Sequence, residues 1–503
     1  MAIKSRNSVG AVIVESVSGV ASFPSAATDY IPLQDGEFEL SPSFNELENA
    51  ELRASIGKAK PVLGLEEPSG TISQYLKHSG IEGQEPQLGR LIQSAFGSKE
   101  VNATQHVTVA ASTVSVIKVG VGIGANFTVG ESLLIKDPVN GFSIRTIKSI
   151  SGDNLTLNFN LAFAPGASVG LGKAVKYLVS NSGHPTLSVW LYRGNDGAVE
   201  MLAGSQVSAM NMEVSAGEFV SCSFDFDGTK YHFDPIRTLS ADTKLDFTDS
   251  VPTTYAATVQ AKTWRDPYEL ASALQASMNS LGSLDIFSVN YNSIDGKFSI
   301  SSNGSAFQLL WNTGVNTANT IGDKLGFLTA ANDTGASVYP ADNAQTWNAP
   351  QTPSYDSAEP LAAKNMEVLL GSPSDLSCIG ISEFTFALEN TLQTVTDICA
   401  ESGVEERIIT ERTVTCEFTA RLRKHDAQTF KRFRAGDDVG FQFSFGEKAG
   451  GNWIAGKSGC VTILNGRLSA FQVTSNDGIE TITGTVTGFV NAQGDGEASL
   501  NFV

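Results

Sequence analysis

The sequence predicts a mainly β protein: two similar β-sandwich or barrel domains, each with a flanking helix, plus a small all-β insertion and a small α+β accessory module. Three observations carry this reading. Glycine occurs 48 times, and Ser, Thr and Val recur throughout, a mix that suits strands joined by tight turns. Apolar residues alternate with polar ones over short runs bounded by Gly, Asn or Asp, as in His106-Val-Thr-Val-Ala and Leu155-Thr-Leu-Asn-Phe. The order strand, helix, hairpin occurs twice along the chain.

The elements follow in order. Residues 1–40 read as an arm with one short strand at Ala11–Val14. Strands are expected at Phe38–Leu40, at Ala50-Glu-Leu-Arg and at Thr71–Tyr75, then a helix over Pro86–Phe96 with Leu88, Leu91, Ile92 and Phe96 on one face. Residues 100–175 form the all-β insertion, and strands resume at Thr186–Tyr192 and Val207–Phe226. In the next module Asp266 caps a helix with Pro267 at its first position and Glu269 completing the capping box; Leu270, Leu274, Met278 and Leu281 give its apolar face, and Gly282 ends it. Asp295-Gly296 between two alternating runs signals a hairpin. Residues 341–365 read as a linker, Ala427–Arg434 as a helix and Asn491–Val503 as a tail. The resulting division is 1–99 with 176–235, 100–175, 236–345 and 346–503.

The repeat is anchored by matching Leu47-Glu-Asn49 with Leu388-Glu-Asn390, and Thr71-Ile-Ser-Gln-Tyr with Thr413-Val-Thr-Cys-Glu-Phe. Both copies close on a hairpin, Val207-Ser-Ala209 in the first corresponding to Leu468-Ser-Ala470 in the second.

Lys and Arg total 34 against 53 for Asp and Glu, a net charge of −19. Such a surface repels phosphate and anionic lipid, which argues against DNA reading and suits a wall past which DNA slides. Five cysteines (Cys222, Cys378, Cys399, Cys416, Cys460) lack CxxC spacing, so buried free thiols are expected. The apolar stretch Val9–Val14 is cut short by Glu15, giving no signal peptide, and no run reaches the length of a membrane span.

No catalytic, cofactor-binding or metal-ligating set emerges. His78, His106, His184, His232 and His425 are scattered. Gly120-Val-Gly-Ile-Gly124 lacks dinucleotide-loop spacing and reads as strand, turn, strand. Asp225-Phe-Asp227-Gly228 resembles part of a calcium loop but lacks the later Glu, so both carboxylates are expected on one solvated strand face. A basic cluster, Arg421-Leu-Arg-Lys-His with Lys431-Arg-Phe-Arg434, suits a salt link to an acidic partner subunit.

Ser41-Pro-Ser-Phe-Asn-Glu-Leu-Glu-Asn and Gly64-Leu-Glu-Glu-Pro-Ser-Gly-Thr-Ile-Ser-Gln-Tyr resemble the opening of phage tail tube proteins, as does Phe384-Thr-Phe-Ala-Leu-Glu-Asn through Ile408-Ile-Thr-Glu-Arg-Thr. Lys297-Phe-Ser-Ile-Ser-Ser and Phe307-Gln-Leu-Leu-Trp resemble accessory domains of phage structural proteins. The resemblance implies tail-tube-type β-sandwiches whose sheets join across subunits into an inner barrel. It implies a structural virion protein of a siphovirus tail, not an enzyme, assembled in the host cytoplasm. Its partners would be other copies of itself in trimeric rings, tape-measure and tail-end proteins, and DNA passing unbound through the lumen during ejection. The competing expectation is a multidomain β-rich adhesion protein binding glycan or protein, with a glycan-degrading enzyme third.

Overall fold

The computed structural model describes residues 5–503 except 23, 25, 52–57, 195–198, 234–236, 240, 265–266, 293–294, 305, 346–352, 357, 376–379, 401, 423–426, 477 and 492–495. It is mainly β with few helices, as the composition requires. The chain divides into two compact units: residues 1–9, 190–201 and 232–350, and residues 10–189, 202–231 and 351–503.

The first unit holds the α+β module. Thr243–Thr248 lies between Thr254–Val259 and Phe307–Leu309, with Asp333–Ala336 at the edge. The Asp295-Gly296 hairpin forms as expected, pairing Phe287–Asn292 with Lys297–Ser302 around Gly296 at φ +69°. The helix Pro267–Asn279 buries Leu270, Leu274 and Met278 in a core with Phe247, Phe287 and Trp311. Leu281 lies beyond the helix end and is exposed. The expected cap Asp266 lies outside the described residues.

The second unit is built on a sheet whose strands we number in chain order. In its first half these are β1 (Phe38–Ser41), β2 (Phe44–Leu47), β3 (Val62–Glu66), β4 (Ser69–Tyr75), β5 (Val199–Ser215, within this unit from Leu202) and β6 (Ser221–Asp227). Helix α1 (Gly89–Phe96) precedes β5; it buries the four predicted apolar residues and ends at Gly97, whose φ of +95° suits glycine. The second half holds β7 (Ile381–Thr396), β8 (Val404–Arg421), helix α2 (Ala427–Ala435), β9 (Asn452–Asn476) and β10 (Ile479–Gly488). Neighbouring strands run antiparallel in the order β1, β4, β6, β5, β7, β8, β10, β9.

This order is one four-strand pattern used twice, and the registers agree residue for residue. Adding 346 to the residue numbers carries Phe38↔Ile72 onto Phe384↔Phe418 and Phe44↔Glu66 onto Asn390↔Arg412. The bulge between Phe44 and Glu46 falls where the second half has one between Thr391 and Leu392. The closing hairpins match too: Val207↔Phe226 then Ala209↔Asp225, with a bulge between, corresponds to Leu468↔Val486 then Ala470↔Thr485. The Leu-Glu-Asn triplets used as an anchor are therefore five residues out of step. In antiparallel strands an odd slip would swap the two faces.

The apolar side of the sheet packs on a second run of strands. Phe384 contacts Phe441 and Phe443 of Asp438–Ala449, with ring centroids 5.8 and 4.5 Å apart. Ser499–Phe502, expected to lie in a tail, is instead a buried strand between Ala174–Val179 and the Gly459–Thr462 part of β9. Its alternation is too short to stand out, and pairing on both sides supplies what the pattern lacks. Of the predicted strand at Ala50, the described residues Ala50 and Glu51 are irregular, and the rest lies outside them.

The insertion is a six-stranded sheet around Leu133, Ile147, Leu155 and Leu171. A buried ion pair ties it to the body: Lys176 Nζ lies 2.9 Å from the Glu131 carboxylate, which also accepts from Asn102 Nδ2. Lys176→Met strands that carboxylate in the interior, and we expect a loss of about 3–5 kcal/mol in denaturant unfolding. A loss below about 1 kcal/mol would show that Glu131 finds other compensation.

Candidate functional site

Two features of the sheet in the second unit stand apart from ordinary core packing: its solvent face and its two ends. Strand alternation sends Phe224, Met210, Leu388 and Val414 into the core and their neighbours to the opposite side. One row across that side runs Tyr75, Ser221, Glu213, Thr385, Glu417, Thr485, Ala470, each directly opposite the next. Parallel rows add Glu39, Asp225, Asp227, Glu383 and Glu389 among Ser and Thr hydroxyls. Arg421 and Arg467 lie at the margins of this side, and Arg407 of β8 is buried near Asp227. The face is thus carboxylate and hydroxyl, rich in hydrogen-bond acceptors and strongly negative.

The two Asp residues of the Asp225-Phe-Asp227 segment share this face, as alternation predicts. Burial raises the pKa of Asp227, against the pull of Arg407, with Asp225 and Glu67 adding to the rise. A carboxyl whose folded pKa is raised favours folding only at low pH, and that contribution is lost as pH climbs through the folded value. Asp227→Asn should therefore raise the melting temperature at pH 7 and give no gain below the unfolded carboxyl pKa. An equal gain at both pH values would contradict this.

The ends of the sheet are open. Among the described residues β1 pairs only with β4, and Leu468–Asn476 of β9 only with β10. The β2–β3 hairpin that prolongs the β1 end exposes Phe44, Leu47, Val62 and Leu63, each between 46% and 63% accessible.

The other sequence candidates resolve into structural roles. The Gly120–Gly124 loop turns its amides inward: Gly122 and Gly124 N–H donate to Asp153 at 3.1 and 3.0 Å, so the chain's own carboxylate fills the anion cradle. A single turn of 3-10 helix, Ile123–Asn126, stands where a strand was expected. Arg432 of the basic cluster binds Asp375 of the same chain and lies 3.3 Å from the Ser372 hydroxyl, so its salt link is internal. Burial pushes the Asp375 pKa up, but hydrogen bonds from Ser372 and Arg432 outweigh it and hold it low. Arg423, Lys424 and His425 lie outside the described residues. Cys222, Cys416 and Cys460 are buried, and burial raises the Cys222 thiol to about 12; Cys399 is exposed, contrary to expectation, and Cys378 is outside the described residues. Among the described residues no cluster of His, Cys, Asp and Glu could hold a metal, and no helix is long and apolar enough to cross a membrane. What sequence reasoning missed is the pair of open edges, since pairing partners are not written in a single strand.

Open strand edges beside a negative, hydroxyl-rich face offer backbone groups on which a further strand can pair. The family model of the phage tail tube protein matches residues 5–300, and the chain belongs to that family. Membership makes it a structural virion component that assembles with itself into a tube. The match takes in β1 to β6 and ends before β7, so the second four-strand set lies outside it. A search of curated proteins gives no match to the chain.

Proposed function

We propose that three copies of this chain close into a ring, that rings stack into the tube of a long non-contractile tail, and that the carboxylate face lines the channel for DNA. The observation that carries the reading is the doubled four-strand unit, with its registers and bulges repeated in both halves. A closed ring needs the same contact at every junction. A chain with two equivalent units supplies two sectors, and a six-sector ring then takes three chains. On this reading, 1–99 with 176–235 and 346–503 are the two tube domains, 100–175 is an insertion and 236–345 an accessory module. The tape-measure protein would occupy the channel before ejection, and tail-end proteins would bind the terminal rings. Virions would assemble in the host cytoplasm.

Negative-stain electron microscopy of the purified full chain tests the reading. Rings or tubes with an open channel are expected, and a uniformly monomeric population at high concentration would contradict it.

A further inference from the structure

The chain contains its own template for the contact between copies. Where the halves meet, β5 pairs with β7: Met210↔Leu388, Met212↔Phe386, Glu213↔Thr385, Val214↔Phe384. Asn390 pins this seam from its buried position, donating from Nδ2 to the carbonyls of Ala95, near the end of α1, and Val207, at the β5 bulge, both at 3.1 Å. The counterpart of β5 in the second half is β9, and the counterpart of β7 in the first half is β1 running on into β2. These are the strands whose outer sides carry no partner among the described residues.

We propose that the β9 tail of one copy pairs antiparallel with β1 of the next, in the register of the internal seam. Shifting β5 to β9 by the Ala209-to-Ala470 correspondence, and β7 to β1 by the Phe384-to-Phe38 correspondence, fixes that register. Thr474 then faces Glu39 of the neighbouring copy on the channel side. Val473 faces Leu40 of the neighbouring copy on the core side.

Composition supports the pairing where Gln472–Asn476 meets Glu37–Ser41; beyond it Pro42, which lacks an N–H, falls opposite Phe471 and ends the ladder. Natural sheets blunt exposed edges with Lys, Pro or inward charges. The segment Leu468-Ser-Ala-Phe-Gln-Val-Thr-Ser-Asn476 has neither charge nor proline. Val473 is 48% exposed in the single chain, and the proposed partner strand covers it.

The β2–β3 hairpin completes the contact. In the second half, the equivalent hairpin of β7 and β8 lies across the first half, with Arg407 Nε donating to Gly228 O and Ser402 O accepting from Glu66 N–H. The 346-residue correspondence puts Phe44 where the internal seam has Asn390. The seam between copies therefore replaces a buried amide pin with an apolar one. Its occupant is the second half of another copy of this chain.

The inference rests on the ring reading, and cysteine pairing separates the two. In the full chain with Cys399→Ser, Glu39→Cys combined with Thr474→Cys should cross-link on mild oxidation, because directly opposed strand residues meet disulfide spacing. Non-reducing gels should show covalent dimers and a ladder that stops at three chains. Glu213→Cys with Thr385→Cys should link within one chain and serves as the positive control. Glu39→Cys with Val473→Cys should remain unlinked, since the side chains point to opposite faces. If rings form by microscopy but the first pair stays unlinked, or the displaced pair links instead, the register is wrong and the ring reading survives. If the parent chain forms no rings, both fall.

Discussion

Val473→Asp leaves a folded chain that forms no tubes. In the single chain this side chain is half exposed on the β9 edge, so the free subunit tolerates a carboxylate there, with stability changing by less than about 1 kcal/mol. At the proposed seam the same carboxylate lies against Leu40 and has no cation to meet. Burying an unpaired charge costs several kcal/mol, and every step of about 1.4 kcal/mol is tenfold in association. A penalty of about 4 kcal/mol weakens each contact by roughly a thousandfold, and a ring carries it at every junction. Circular dichroism and melting should match the parent while sedimentation shows monomers. Tubes at parental yield would mean that β9 is not at an interface.

Charge reversal on the sheet face gives the second large effect. The parent tube should not hold DNA at any salt concentration, because Glu213, Glu383 and Glu417 repel phosphate and the nearest cations lie at the margins. Replacing those three by lysine converts the same row into a phosphate-binding stripe. Each phosphate neutralised contributes about −0.9 to the slope of log K against log salt, so six to ten contacts around a ring cost roughly 10³–10⁵ in affinity between 50 and 200 mM salt. Retained DNA should therefore appear at low salt and vanish at moderate salt. A variant tube that gains no DNA affinity would place this face away from the channel.

The fold was legible where local chemistry decides it. The Asp295-Gly296 turn, the apolar face of α1 and the helix Pro267–Asn279 all follow from spacing and turn residues. The doubling was legible as an order of elements, but its register was not. Leu-Glu-Asn is a three-residue identity, whereas the true correspondence joins Gly36-Glu-Phe-Glu-Leu40 to Ser382-Glu-Phe-Thr-Phe386, which shares only Glu-Phe and otherwise keeps the alternation. Strand length was hidden for a related reason. β9 runs from Asn452 to Asn476, and the bulge between Leu468 and Ala470 shifts its alternation by one residue, so a single strand reads as two. The buried strand Ser499–Phe502 depends on partners more than 30 residues away in sequence, and the open edges are a property of the assembled sheet. The negative face was legible only as a charge excess, because sorting it to one side requires the registers.

Helical reconstruction of the assembled tube by cryo-electron microscopy decides how many chains close each ring. Three chains are expected in each ring, with six similar sectors around the channel and alternating junctions in which β5 meets β7 within a chain and β9 meets β1 between chains. Six chains in each ring, with only one half of each chain lining the channel, would contradict this.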